Sequence, residues 1–330
     1  MVQKRQRSKR PVLPSHSRPP TVKAKSGVLS SKATRNLIRT HHELTKSRAQ
    51  AVQARNDALI KEIDAKIETN GGLQSYQHAS KLGQSLERGG DSSRTLVEWI
   101  SPRLVQLHNH NSSNTTGPGT NTSTGKTKEQ KSNFKLRVLE VGALSTKNAC
   151  STNQFLDCTR IDLNSQESGI LQQDFMERPL PRHESERFHL ISLSLVLNYV
   201  PSASGRGDML KRCLYFLTTN TRSSSDGGSS PENESEDEKK LFFPPGLFLV
   251  LPAACIDNSR YLTERRLSDI MSSLGFVLAR SKRSAKLIFQ LWELSKKPND
   301  NSSSCEFGKE ILNPGKTRNN FAIVVRGGNE

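Results

Sequence analysis

The chain has 330 residues, of which 33% are apolar and 5% aromatic, and it carries a formal charge of +17. That length suits one sizeable folded unit, but so little apolar material cannot bury all of it, which predicts appendages outside the core. The charge disfavours basic partners and attracts a polyanion through salt-sensitive phosphate contacts, which makes nucleic acid the leading partner class.

Residues 1–27 contain "KRQRSKRP" and almost no apolar side chains, so they cannot offset the entropy of ordering and are expected to form a disordered basic tail. Lys4, Arg5, Arg7, Lys9 and Arg10 make a cluster suited to nuclear targeting or RNA contact. Residues 28–108 read as a helical N-terminal module. From Ser30 to about Asn70 the good helix formers run without proline, with Ile60, Ile63 and Ile67 on one stripe and Gly71 and Gly72 at the close. A second helical stretch is broken by Gly89 and Gly90, after which Asp91 or Ser92 can cap a helix carrying Leu96, Val97, Trp99 and Ile100. His41 and His42 are adjacent, lack the spacing of a metal pair, and are read as surface residues.

Residues 109–133 and the acidic stretch 219–240 are low-complexity surface inserts, tolerated because loop-closure cost grows slowly with length. Between and after them the pattern changes to short apolar runs, "LRVLEVG", "TRIDL", "FHLISLSLVLNYV" and "LFLVLPAA", separated by helical stretches. Such strands demand a parallel sheet covered on both faces, in an α/β unit over residues 134–328. "SAKLIFQLWEL" and "NNFAIVVRG" follow without an intervening helix and are expected to pair antiparallel at one side. Arg280, Lys282, Arg283 and Lys286 flank these late strands and can hold phosphates or guard a sheet edge.

Five cysteines, an odd number with no CxxC pair, predict reduced thiols in an intracellular protein and no metal centre. No secretory h-region opens the sequence and no run approaches the roughly 20 apolar residues that span a bilayer, so a membrane partner is not expected.

In an open parallel sheet the ligand lies beyond the carboxyl ends of the strands. Gly142 ends the first strand, where a missing side chain lets a ligand approach the backbone. Asp162, 20 positions later in "TRIDL", can accept from ribose hydroxyls. No GxGxxG series and no P-loop follow, which disfavours a dinucleotide or nucleoside triphosphate. S-adenosylmethionine has a ribose and no phosphate, and one glycine suffices for it. Asp174 and Phe175, after the third short run, can bind the amino group of an adenine and cover its ring; Glu140 precedes the turn. Each also has a plain structural reading: a buried acid, a tight turn, a cap.

The segments "YQHASKLGQSLERGGDSSRTLVEWI", "LRVLEVGALSTKNACS", "TRIDLNS", "QQDFMERPLP", "FHLISLSLVLNYVPSASGRGDML" and "NNFAIVVRGG" resemble the fungal nucleolar enzymes that methylate N(1) of an adenine in large-subunit (25S) ribosomal RNA. That family is related to a metazoan S-adenosylmethionine sensor. The resemblance covers about residues 30–105 and 134–328. It implies a class I, Rossmann-like seven-stranded methyltransferase domain, S-adenosyl-L-methionine as cofactor held at Gly142 and Asp162, ribosomal RNA or a pre-ribosomal particle as partner, and a nucleolar address. Against the general class I pattern, the second and third glycines after the first strand are missing. After the fourth strand, "LNYVP" sits where related amino-methylating enzymes carry an Asn/Asp-Pro-Pro-aromatic loop; by that resemblance Asn198 is expected to hydrogen-bond the adenine edge and Tyr199 to stack on it, the alternative being a strand-end turn residue and a core aromatic. A cofactor sensor and a ribosome-assembly scaffold without methyl transfer are the competing readings.

Overall fold

The computed structural model describes residues 29–83, 90–113, 135–165, 167–218, 243–295 and 306–327. The expected basic tail and the acidic insert lie outside these residues, as does most of the first insert.

Helix α1 (Ser31–Gln53) starts where Ser30 accepts from the Ala33 N–H. The single long helix expected to about Asn70 is in fact two. The chain turns at Arg55, whose φ is +53°, and Asn56 caps α2 (Asp57–Thr69) by accepting from the Leu59 N–H at 3.0 Å. The cap competes successfully with helix continuation because asparagine satisfies backbone donors locally. Helix α3 (Gly72–Gly83) follows, and α1, α2 and α3 pack on one another.

Helix α4 (Ser93–Ser113) stands apart from that trio: Leu96, Ile100 and Leu104 bury one stripe against the sheet. It therefore belongs to the core of the α/β unit and not to the helical module in which the sequence alone would place it.

The sheet comprises β1 (Leu136–Val141), β2 (Leu156–Asp162), β3 (Leu171–Gln172), β4 (Leu190–Ser194), β5 (Gly246–Pro252), β6 (Phe276–Arg283) and β7 (Leu287–Leu294), in the order β3-β2-β1-β4-β5-β7-β6. β1 to β5 are parallel; β7 runs antiparallel to β5 and to β6. Strand order reverses between β1 and β4, which is where such sheets bind ligands. Alternation within each strand supplies two cores. Leu136, Val138, Phe248 and Val250 face α4, whereas Leu139, Val141, Leu247 and Leu249 face α6 (Ala203–Phe216) and α8 (Glu264–Ser273). Short helices α5 (Ala149–Thr152) and α7 (Ala254–Asp257) follow β1 and β5.

The C-terminal run departs from expectation. "NNFAIVVRG" adds no strand to the sheet; β7 pairs with "FVLARSKR", a basic run that forms the exposed edge strand β6. Residues 319–326 instead lie along α6, with the Val324 N–H donating to Ala203 O at 2.9 Å. A Cβ on Gly207 would stand 1.9 Å from Val324 O, so only glycine lets the segment come this close. Buried Arg206 fastens it, donating from Nη1 to Ala322 O at 2.7 Å with its guanidinium 4.3 Å from the Phe321 ring. Of the late basic residues, Arg283 pairs with Asp257 at 2.7 Å and Lys282 with Glu98 at 3.7 Å. This favours edge protection over phosphate binding for those two.

Candidate functional site

Gly142 follows β1 with φ +73°, a left-handed conformation, and a Cβ there would lie 2.7 Å from Val196 Cγ2. Its N–H and that of Ala143 both donate to Ile161 O. The glycine is thus demanded by backbone geometry and by the loop after β4, as well as by any ligand. That loop begins at Leu195, a non-glycine residue with φ +58° held by its N–H to Val250 O at 3.0 Å. Strain of this kind persists only where surrounding structure enforces it, and it gathers at functional sites. The loop carries Val196, Asn198 and Tyr199 onto the carboxyl-end edge of the sheet.

Asp162 ends β2, half-buried, with Oδ1 accepting from the Asn164 N–H at 2.8 Å. Burial raises its carboxyl above the usual range and the Asn164 N–H opposes this. A carboxylate has room for further donors beyond that one. Asp174 stands exposed just past β3, Oδ1 accepting from the Met176 N–H at 2.8 Å. Two sequence-predicted residues do not reach the crevice. Phe175 is 2% exposed and packs on Phe216 at 5.4 Å between ring centroids, so it cannot cover a ligand ring; its apolar bulk fills the α6 core. Glu140 points to the α4 side, where both carboxylate oxygens accept from Asn148 Nδ2 at 2.6 and 2.8 Å. Asn148 in turn caps α5 by accepting from the Ser151 N–H. Glu140 therefore positions the loop after β1 through Asn148.

Burial pushes the Glu140 carboxyl up to about 7, against the Asn148 hydrogen bond, with Asp91 raising it further. A folded pKa above the ordinary 4.5 means that the folded chain binds more protons between those values, so this group lowers stability as pH rises from about 4.5 to 7. Glu140→Gln keeps one acceptor for Asn148 and should flatten that slope, by on the order of 2–3 kcal/mol between its ends. Denaturant melts of both proteins at the two ends of the window check this; identical pH dependence would rule it out.

The helices α1 and α3 close the crevice from above. Gln77 Nε2 donates to Asn164 O at 2.9 Å; burial raises the Tyr76 hydroxyl above its ordinary value, a hydrogen bond with Ser80 opposes this, and the nearby Asp162 carboxylate adds to it. Tyr76 stacks on His41 at 4.3 Å and meets His42 edge-on at 4.9 Å; His42 stacks on Tyr199 at 3.6 Å with 16° between the planes. The two histidines are therefore not plain surface residues. Desolvation lowers both, His42 to about 4, so its ring is neutral at physiological pH. The Tyr199 hydroxyl is pushed up to about 12, first by burial and then by Tyr76, against a side-chain hydrogen bond with Asn198 whose Oδ1 stays without a partner, although the residue as a whole is 39% exposed. The two values together describe a ring in the wall of a cleft, open along one side. Contacts thus run in a circuit around the crevice: Gly142 to Val196, along the loop to Tyr199, to His42 and to Tyr76, which lies within electrostatic reach of Asp162. The sheet half of this circuit is legible in the sequence and the helical half is not, because nothing local in "THHEL" says which loop it faces.

A groove of about 410 Å³ lined by Trp99, Arg103, Phe243, Arg280 and Glu293 lies at the amino end of β5. It is at the wrong end of the strands for the cofactor of a parallel sheet.

The profile of the Bmt2 family, 25S rRNA (adenine(2142)-N(1))-methyltransferase, matches residues 61–323. A Saccharomyces cerevisiae protein named 25S rRNA (adenine(2142)-N(1))-methyltransferase is 36% identical over 270 residues, which is 81% of this chain and 64% of that protein. A Schizosaccharomyces pombe protein named 25S rRNA adenine-N(1) methyltransferase is 34% identical over 288 residues, 87% of this chain and 89% of its own. The chain thus spans just under two-thirds of the length of the first relative. Among solved structures, the N-methyltransferase NodS of Bradyrhizobium japonicum WM9, in complex with S-adenosyl-L-homocysteine, is 13% identical with a TM-score of 0.31, covering 59% of this chain and 87% of that one. The class I architecture rests on the strand order and on the reversed β7. With that topology, and with a family profile that matches well over half of its length, the chain belongs to the Bmt2 family.

Proposed function

We propose that this chain is an S-adenosyl-L-methionine-dependent methyltransferase that methylates N(1) of an adenine in 25S ribosomal RNA. The observation that carries the reading is the circuit around the crevice: in a chain of this family, the Gly142 turn, the Asp162 carboxylate and the Asn198–Tyr199 loop share the carboxyl edge of one sheet. The residues present suit the cofactor. Asp162 offers acceptors for ribose hydroxyls, Asp174 an acceptor for an exocyclic amine, and Gly142 a turn with no side chain of its own.

Bound S-adenosylmethionine supplies an electrophilic methyl group on a sulfonium. The adenine N(1) lone pair forms the new C–N bond as the C–S bond breaks, so no proton has to leave the nucleophile first. What the chain must provide is alignment and exclusion of water. Its side chains are suited to that: the Tyr199 hydroxyl, at about 12, stays protonated and supplies no base, while neutral His42 does not repel the positive charge that develops on the ring. Because N(1) lies on the Watson–Crick edge, the target must be unpaired or turned out of its stack. A pre-ribosomal particle in the nucleolus is the setting this reading expects, supported by the net charge of +17 and the basic cluster Lys4 to Arg10.

Asp162→Ala should weaken S-adenosylmethionine binding roughly 10- to 100-fold, the loss of hydrogen bonds to a charged acceptor, with Asp162→Asn intermediate. Calorimetry on the purified chain reads this. Absence of uptake by the wild type would sink the cofactor reading, and uptake without N(1)-methyladenosine in ribosomal RNA would select the sensor.

A further inference from the structure

His42 and Tyr199 face each other across the crevice from two separately built parts of the molecule. His42 comes from α1 of the three-helix unit; Tyr199 comes from the strained loop after β4. Their rings are 3.6 Å apart and nearly parallel, which is the spacing of stacked bases, and each is the other's cover. Full face-to-face overlap is a less favourable arrangement for two aromatic rings than an offset one, so the pair is easily parted. Beside it are two buried polar atoms without a hydrogen-bond partner, His42 Nε2 and Asn198 Oδ1. Leaving such atoms unpaired costs about 1–3 kcal/mol each, and a fold keeps them where a ligand completes the set.

We propose that the target adenine enters between His42 and Tyr199, so that α1 supplies one wall of the base pocket and His42 is a base-contacting residue of the RNA substrate. Asn198 Oδ1 then accepts from the adenine amino group, next to the reacting N(1). Entry requires the rings to separate by roughly 3.4 Å, the rise of one stacked base. The three helices move together to allow it, since α1, α2 and α3 pack on one another. Tyr76, stacked on His41 and edge-on to His42, braces the moving wall. The site selects an unpaired base: a planar ring satisfies both walls, and Asn198 Oδ1 is satisfied by a base with an amine beside the reactive ring nitrogen, which excludes uracil.

This inference rests on the methyltransferase reading, and the experiment separates the two. The full chain is assayed with S-adenosylmethionine carrying a tritiated methyl group and unmodified 25S ribosomal RNA, alongside calorimetry with S-adenosylmethionine alone. His42→Ala should lower kcat/KM for RNA about 10- to 100-fold, chiefly through KM, the loss expected when a stacking platform is removed. The affinity for S-adenosylmethionine and the melting temperature should stay at wild-type values. His42→Phe, which keeps a plane, should recover most of the loss. Wild-type or better activity of His42→Ala would mean that the ring only plugs the cleft and would overturn the inference, as would a parallel loss of cofactor affinity and thermal stability. A wild-type chain that methylates no RNA would remove the functional reading and the inference with it.

Discussion

Gly142→Arg is expected to abolish methyl transfer, with S-adenosylmethionine affinity lowered more than about 100-fold by calorimetry while the chain remains folded. Two separate effects combine. The φ of +73° costs an L side chain about 1–2 kcal/mol, and any Cβ meets Val196 Cγ2 at 2.7 Å. Val196 is a short, stiff side chain in the loop that also carries Asn198 and Tyr199, so the displaced group transmits the disturbance to the base side of the crevice. Milder variants separate the causes. Gly142→Asn tolerates the left-handed backbone and retains the contact, whereas Gly142→Ala combined with Val196→Ala removes the contact and retains the strain. The double variant should regain activity over Gly142→Ala alone. If Gly142→Ala is already as active as wild type, the close packing of the two loops has no bearing on function.

Asn198→Ala should reduce kcat/KM for RNA by roughly 10- to 100-fold, the worth of a buried hydrogen bond left unmade, with cofactor affinity unmoved. Its Oδ1 is buried without a partner, so the substrate edge is the group that would miss it. Tyr199→Ala should cost a similar factor through lost stacking, whereas Tyr199→Phe should stay within a few-fold because a hydroxyl held at about 12 takes no part in proton transfer. Steady-state kinetics of the three proteins decides this. Asn198→Ala and Tyr199→Ala both matching wild type would remove the loop after β4 from the reaction.

Much of the sheet is legible in the amino-acid order alone. The runs "LRVLEVG" and "LFLVLPAA" announce buried parallel strands because every second residue must be apolar on each of two covered faces, and both are central strands. Gly142 and Asp162 can be placed because their roles depend on position along one strand and the turn after it. The apolar run at Phe321 to Val325 misleads because a buried extended segment and a strand have the same pattern. Its place is taken by "FVLARSKR", whose exposed, charged side chains suit an edge paired on one side only.

What the amino-acid order by itself determined is the periodic part: strand and helix types, the two-faced core, and the turn at the end of β1, all governed by residues near one another in the chain. Only the tertiary structure decided that Glu140 serves Asn148, that Phe175 belongs to the core, and that His42 lies on Tyr199, 157 positions away. The last of these depends on how a three-helix unit settles over a sheet edge, and the other two on which neighbour each side chain meets once the sheet and its helices pack, matters of summed contacts that leave no local period to read.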